Sequence, residues 1–418
     1  LKASSGLDRL AALGVAVSVG HSANQVGEAA VVTRSTAVPD TNPECRAALE
    51  RGIPLYGRPE ILGAISALRQ TIAVAGTHGK TTTSSMLALV LREAGLRPSF
   101  IIGGDVNEIG TGAAWDEGDL LVVEADESDG SFLELSTRFG LVTNLEPDHL
   151  EHHGGFDPLL EAFDRFVEAV DGPVLVGADD EQGAALAQRH ATSTVGTSVG
   201  SDWRLSGVVE SWEGVRFTLT GPASGAFELE LPVPGLHNAR NAASAAAMAI
   251  TAGAAPEAAA SALARFGGVA RRFEHRGQVA GIVLVDDYAH LPTEVGAVLA
   301  TARSGGFNRV VAVFQPHRFS RTEALWSSFG CSFDDADVLY VTDVYPSGEA
   351  PRPGVSGRLV ADAVLRDRPG ADVRYVARRE DLLDALSGEL RDGDLCLTMG
   401  AGDLTAVPDQ LRARLGAF

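Results

Sequence analysis

Gly76-Thr77-His78-Gly79-Lys80-Thr81-Thr82-Thr83 follows an apolar stretch, Thr71-Ile72-Ala73-Val74-Ala75, and leads into the helix-like run Ser84 to Leu91. A strand, a glycine loop, a Lys-Thr pair and a helix, in that order, are the parts that hold a nucleotide triphosphate. Backbone N–H groups and the helix N-terminus face the phosphates, the lysine neutralises them, and the hydroxyl after it reaches Mg²⁺. Only Lys2 and Lys80 are lysines in these 418 residues, so a lysine kept here points to a compact charge on phosphate oxygens. The loop is shorter than the common pattern, which has a glycine where this chain has Val74. A glycine turn capped by threonines is the plainer alternative, and the flanking strand and helix argue against it.

Three further groups carry chemistry. The apolar run Leu121-Val122-Val123 ends in Glu124, followed by Ala125-Asp126-Glu127-Ser128-Asp129-Gly130. A carboxylate leaving a buried strand beside a phosphate loop suits Mg²⁺, which takes oxygen ligands; Asp126, Glu127 and Asp129 read mostly as a solvated turn. Thr143-Asn144-Leu145-Glu146-Pro147-Asp148-His149 sits at another strand end, with His152 and His153 just beyond. Three histidines could suggest zinc, but the carboxylates and amide around them suit a harder ion, so His149 is expected to be a metal ligand or phosphate neighbour. Asn238 and Asn241 share a face at the start of a helix, where amides can read an adenine edge or simply cap the helix. Arg271 and Arg272 lie at a junction between segments, where an arginine can reach a γ-phosphate on closure or form a linker ion pair.

The elements that must position these groups fall into three α/β blocks. The first, residues 1–68, is expected to hold a helix near Leu7–Leu13, strands at Val15–Val19 and Ala29–Thr33, and helices near Glu44–Arg51 and Glu60–Leu68. The second, residues 69–272, carries the phosphate loop, strands ending at Glu124 and Thr143, an antiparallel excursion over Arg204–Leu231, and two Ala-rich helices. The third, residues 273–418, alternates apolar strands with helix-length segments, which predicts a parallel, doubly wound sheet. Ligands bind outside the carboxyl ends of such strands. Those ends carry Asp286-Asp287-Tyr288-Ala289-His290, Gln315-Pro316-His317-Arg318, Asp343-Val344-Tyr345 and Gly400-Ala401-Gly402-Asp403.

The composition bounds the rest. Apolar residues at 45% and charged residues at 21% are those of a folded globular chain. A net charge of −21 argues against a nucleic-acid surface, which needs a basic patch. Cys45, Cys331 and Cys396 form neither a disulfide framework nor a metal motif, and no apolar run reaches membrane-spanning length. The expectation is a cytoplasmic protein without membrane insertion.

Taken together, GTHGKTTT at Gly76–Thr83, EADESDGSF at Glu124–Phe132, TNLEPDH at Thr143–His149, GLHNARN at Gly235–Asn241, RRFE at Arg271–Glu274, DDYAHLPTE at Asp286–Glu294 and QPHRFSRT at Gln315–Thr322 resemble the Mur ligases. Seven motifs in order make the resemblance specific. It implies three domains: an N-terminal Rossmann-like domain for a UDP-linked substrate, a central P-loop ATPase and a C-terminal Rossmann-like domain for an amino acid. It also implies ATP, two Mg²⁺ ions with Mn²⁺ able to substitute, and a monomer or weak homodimer. Within the family the pattern is that of the alanine-adding branch, whose partners are UDP-N-acetylmuramate and L-alanine, joined through an acyl phosphate. A recycling ligase that adds a preformed peptide, or a module that hydrolyses ATP without making a bond, are the competing readings.

By the same resemblance Gly76, Thr77, His78, Gly79, Lys80, Thr81 and Thr82 hold the nucleotide phosphates, and Asn238 and Asn241 lie at the adenine. Arg271 or Arg272 and Asp286 or Asp287 lie near phosphates and ribose. Thr81, Glu124 and His149 are the metal ligands. Ser128, Asp129, Tyr288, His290, His317, Arg318 and Arg321 line the substrates, and Lys80, His149, Arg271, His290 and Arg318 carry the chemistry. The glycine-rich strand–turn that opens the family's first domain is not found, so that block is expected to lack one βα unit of about 30 residues. Leu291 stands where the family commonly has a second histidine. With Lys2 and Lys80 the only lysines, the carbamylated lysine of several related ligases is not expected.

Overall fold

The computed structural model describes residues 5–35, 38–148, 153–222 and 224–416. Three sheets organise it. The first pairs β1 (Val32–Arg34) in parallel with β2 (Leu55–Gly57), flanked by helices Ser5–Ala12, Pro43–Glu50 and Arg58–Ser66. The strand expected at 15–19 does not form. That backbone meets no neighbouring strand among the described residues, and Val15 and Val19 are exposed. β2 was not anticipated, because Leu55-Tyr56-Gly57 is too short to show a period of two.

The second sheet has ten strands: β3 (Gln70–Ala75), β4 (Ser99–Val106), β5 (Thr111–Ala114), β6 (Leu120–Glu124), β7 (Phe139–Val142), β8 (Val174–Gly177), β9 (Ser193–Gly196), β10 (Trp203–Ser211), β11 (Gly214–Gly221) and β12 (Gly225–Leu231). Their spatial order is β12-β11-β10-β9-β8-β7-β3-β6-β4-β5. β3 is central, parallel to β6 on one side and β7 on the other. Its residues alternate between two cores. Ile72 and Val74 face a cluster with Met86, Leu87 and Val90; Ala73 and Ala75 face one with Phe132, Phe163 and Phe166. Both faces are dry, so the strand reads as a continuous apolar run instead of alternating. β10, β11 and β12 are the expected antiparallel excursion. At the turn after β10, Trp212 packs edge-on against Phe307 and Phe273 of the third unit, with centroids 4.7 and 5.7 Å away.

Helix Leu236–Thr251 lies against helix Lys80–Glu93 in the first of these cores. Ala239, Ala242, Ala243, Ala245, Ala246, Ala247 and Ala249 are all fully buried, and their small side chains let the two backbones approach closely.

The third sheet has six strands: β13 (Glu274–Val279), β14 (Ile282–Asp287), β15 (Arg309–Phe314), β16 (Val338–Val341), β17 (Asp372–Tyr375) and β18 (Asp394–Met399), ordered β13-β14-β18-β15-β16-β17. Five strands are parallel, as expected, so the four polar clusters leave one edge of the sheet. β13 is the difference. It pairs antiparallel with β14, and its polar sequence Glu-His-Arg-Gly-Gln-Val, suited to an edge with only one neighbour, hid it from a search for apolar runs.

Candidate active site between two sheets

The carboxyl ends of β3, β6 and β7 lie side by side, which brings the phosphate loop, Glu124 and the segment 143–148 together. Gly76 and Gly79 give the loop its shape. Their φ values are 125° and 77°, and an added Cβ would stand 2.2 Å from Thr143 Oγ1 and 2.4 Å from Asn241 Oδ1. Only glycine fits both the conformation and the space. β7's end then fixes the loop: His78 N–H donates to Asn144 Oδ1 (2.8 Å), while Thr143 Oγ1 and Asn144 Nδ2 donate to the His78 carbonyl (2.6 and 3.0 Å).

Lys80 Nζ donates to the Gly76 carbonyl at 2.6 Å and lies 3.0 and 2.8 Å from the two Glu127 carboxylate oxygens. Burial works against the charge on Lys80, but Glu127, Asp126 and Glu124 outweigh it and raise its pKa. Burial likewise raises the Glu127 pKa, against the pull of Lys80. Glu127, expected in a solvated turn, is in fact 1% exposed. The sequence concealed this because an acidic run looks the same whether one member points inward or none does.

Thr81 Oγ1 donates to Glu124 Oε1 (2.8 Å), and Gly103 N–H donates to Glu124 Oε2 (2.6 Å). A hydroxyl and a carboxylate at this separation are hard oxygen donors that fit Mg²⁺. Among the described residues no cluster of three His, Cys, Asp or Glu side chains could hold a metal. His149 and His152 lie outside the described residues; His153 Nε2 is 2.8 Å from the Glu127 carbonyl.

A cavity of about 320 Å³ opens beside the loop, walled on one side by His78, Gly79, Thr82, Asn238 and Asn241 and on the other by Arg272, Asp287 and Glu294. Asn238 Nδ2 also donates to the Pro234 carbonyl (2.7 Å), so that amide braces its own turn. The Arg271/Arg272 and Asp286/Asp287 pairs separate cleanly. Arg272 and Asp287 line the cavity, whereas Arg271 Nη2 donates to the Gly400 and Gly402 carbonyls (2.7 and 3.2 Å). Asp286 accepts from Thr398 and Thr405 hydroxyls, both at 2.6 Å. Adjacent residues of β14 point to opposite faces, which accounts for the Asp286/Asp287 split, while Arg271 turns away at a left-handed φ of 61°. Burial pushes the Asp287 pKa up to about 6, partly offset by Arg272.

At the ends of β14, β15 and β16 the rings of Tyr288, His290, His317 and Tyr345 follow one another at centroid distances of 5.5, 5.8 and 5.8 Å. Burial lowers the His290 pKa to about 4 and, with nearby His290, Arg321 and Arg318, that of His317 to about 3. Both rings are neutral at pH 7. Arg318 adopts φ 65° at the head of helix Phe319–Leu325, and its N–H donates to the Tyr345 carbonyl (2.8 Å).

Arg321, expected to face a substrate, is instead held in a buried ion pair with Asp148. Its Nε and Nη2 lie 3.0 and 2.9 Å from Oδ1, and its Nη1 is 3.0 Å from His317 Nδ1. Asp129 lies toward the first unit, its Oδ2 3.6 Å from Arg58 of helix Arg58–Ser66, and Ser128 N–H donates to Asp126 Oδ1 (3.0 Å). Glu146 and Asp148, expected only as hard-ion surroundings of His149, and Glu294, given no role from sequence, are partners of His78 and Arg321 instead. A carboxylate within each of the motifs TNLEPDH and DDYAHLPTE was the available signal.

A phosphate loop in a ten-stranded sheet facing the strand ends of a Rossmann-like sheet defines a family of ATP-dependent ligases. The models for the Mur ligase family catalytic domain, the Mur ligase middle domain and the Mur ligase glutamate ligase domain match residues 2–70, 74–249 and 271–402. The chain belongs to the Mur ligase family.

Within it, the chain is 44% identical over 403 residues to the UDP-N-acetylmuramate–L-alanine ligase of Nitratidesulfovibrio vulgaris, covering 96% of this chain and 88% of that one. It is 46% identical to the ligase of the same name from Kineococcus radiotolerans, covering 96% and 87%. Among solved structures, the UDP-N-acetylmuramate–alanine ligase of Thermotoga maritima superposes with a TM-score of 0.81 at 28% identity, covering 98% of this chain and 90% of that one. No helix among the described residues is long and apolar enough to cross a membrane.

Proposed function

We propose that this protein joins L-alanine to the lactyl carboxylate of UDP-N-acetylmuramate with cleavage of ATP, a step in building peptidoglycan precursors. The observation that carries the reading is the shared cavity. His78 and Gly79 of the phosphate loop, Arg272 at the junction, and Asp287 and Glu294 of the six-stranded unit wall the same space. A nucleotide bound there is in reach of both sheets. The names of the relatives support the choice of substrates. The reading divides the chain at 68/69 and 272/273 into UDP-substrate, ATP and amino-acid domains.

In this reaction the sugar carboxylate attacks the γ-phosphorus, ADP leaves, and an acyl phosphate forms. The alanine amine attacks the acyl carbon, gives up its proton, and inorganic phosphate leaves. The chain's part is to bring two anions together. Lys80 would offset charge on the phosphates, and Arg318, at the strand ends, would grip a carboxylate with two parallel hydrogen bonds. His290, held neutral with its Nδ1–H donating to the Tyr288 carbonyl (3.0 Å), offers its Nε2 lone pair to an ammonium group, whereas neutral His317, whose Nδ1 accepts from Arg321, presents an Nε2–H. Mg²⁺, held by Thr81 and Glu124 with a second ion at His149, would polarise phosphate oxygens, and Mn²⁺ would substitute. Asn238 and Asn241 face the space an adenine would take. The free thiols Cys45, Cys331 and Cys396 suit a reducing cytoplasm.

The deciding assay is phosphate release from ATP with each substrate withheld in turn. Release that requires both UDP-N-acetylmuramate and L-alanine is the expected result. Release indifferent to both would leave only an ATP-hydrolysing module. Replacing L-alanine with a tripeptide tests the recycling reaction in the same vessel.

A further inference from the structure

We infer that His78, inside the phosphate loop, is a positioning residue that docks the amino-acid unit onto the nucleotide site through Glu294. The His78 ring lies between carboxylates from two units. Its Nδ1 is 3.0 Å from Glu294 Oε1, and its Nε2 is 3.3 Å from Glu146 Oε2. Nε2 makes the hydrogen bond, while Nδ1 faces Glu294 as a close ion-pair contact outside hydrogen-bond geometry, so it is the charge of the imidazolium that serves both carboxylates. Glu146 is also gripped from across the boundary, accepting from the Thr293 hydroxyl at 2.5 Å.

Glu294 has a second task. As the third residue of helix Pro292–Arg303, its Oε2 accepts from the His290 and Leu291 N–H groups at 2.9 and 3.1 Å. One carboxylate therefore caps the helix, fixes the backbone of His290 and meets the phosphate loop. On the other side of the ring, the His78 backbone is bonded to Asn144 and Thr143 at the end of β7. The route from Lys80 to His290 is short and rigid: loop, ring, carboxylate, helix start. A nucleotide that sets the loop thus sets where the alanine-binding strand ends stand relative to its γ-phosphate. The Trp212 contact to Phe273 and Phe307 is a second, apolar contact between the units.

The assignment of alanine to the docked unit rests on the proposed ligase activity; the docking itself does not. The test uses the full chain and two variants. Glu294→Gln keeps the helix cap, because glutamine serves at that position, and removes the charge opposite His78. His78→Gln removes the other partner. Small-angle scattering without substrates should show both variants more extended than the native chain. In turnover, the KM for L-alanine should rise about 5-fold or more in each variant. The double variant should be no worse than either single one. Scattering profiles identical to the native chain, or singles whose effects simply add, would overturn the inference. If the native chain released no alanine-dependent phosphate, the ligase reading would fail, and scattering would still decide the docking.

Discussion

Both carboxylate oxygens of Glu127 lie within 3.0 Å of Lys80 Nζ, and Glu127 is 1% exposed. The phosphate-binding lysine is thus aimed by an acid that water barely reaches. Lys80→Ala should lower kcat/KM by about 1,000-fold or more, since the charge it supplies is needed most in the transition state. The fold should survive, because Glu127, with its pKa already raised by burial, can take up a proton. Circular dichroism with steady-state kinetics checks both halves. A variant retaining more than a tenth of native turnover would remove the loop from the mechanism.

Glu124 accepts from the Thr81 hydroxyl and from the Gly103 N–H. Glu124→Ala should therefore act on metal affinity before stability. The Mg²⁺ concentration giving half-maximal rate should rise about 10-fold or more, and thermal melting should shift little. A titration of rate against Mg²⁺ at saturating ATP reads this directly; an unchanged midpoint would assign the carboxylate a structural role.

Arg321 and Asp148 form a pair whose side chains are 6% and 5% exposed. Removing one partner of such a pair costs about 3–5 kcal/mol. Arg321→Ala should lose stability on that scale in urea. Arg321→Lys should recover little, because an ammonium cannot reproduce the two-pronged contact. Full recovery by lysine would show that charge, not geometry, holds the contact.

The histidines set opposite pH slopes. His290 and His317, neutral in the fold with pKa values of about 4 and about 3, bind protons only on unfolding as pH drops below the ordinary 6.5. Stability is therefore lost as pH falls from 6.5 toward 4. Burial also lowers His237, to about 4, which adds to the same slope. Asp287, raised to about 6, opposes it. For His78, burial acts against the charge, but Glu294 and Glu146 win and raise the pKa to about 9. Its contribution is complete below 6.5 and disappears as pH rises through 9. Melting curves across this range should peak between these limits, and His78→Gln should flatten the alkaline side only.

Much of this site could be read from residue order, because a phosphate loop, a strand-end glutamate and polar strand ends are local patterns. The third sheet's parallel rhythm was legible for the same reason: five of its strands carry apolar residues that mark each one. What escaped were the partners. Glu127, Asp148, Glu146 and Glu294 look like ordinary surface acids until the fold turns them inward, and a sequence does not say which carboxylate a lysine, arginine or histidine will meet. The choice between Asp286 and Asp287 had to wait for the face of β14 each occupies. β13 escaped because an edge strand with one neighbour needs no apolar signature.

That same strand bears on how the molecule behaves among its own copies. An edge strand offers unpaired backbone groups to any chain that meets it. Here β13 shifts register between His275 and Gly277 and carries Glu274 and Arg276, the latter tied to Asp409. The opposite edge, β17, is four residues long and places Asp372 and Arg374 side by side in an ion pair. Both open borders of the sheet are thus interrupted and charged, which denies a second copy the flat run of hydrogen-bonding positions from which a fibril could start.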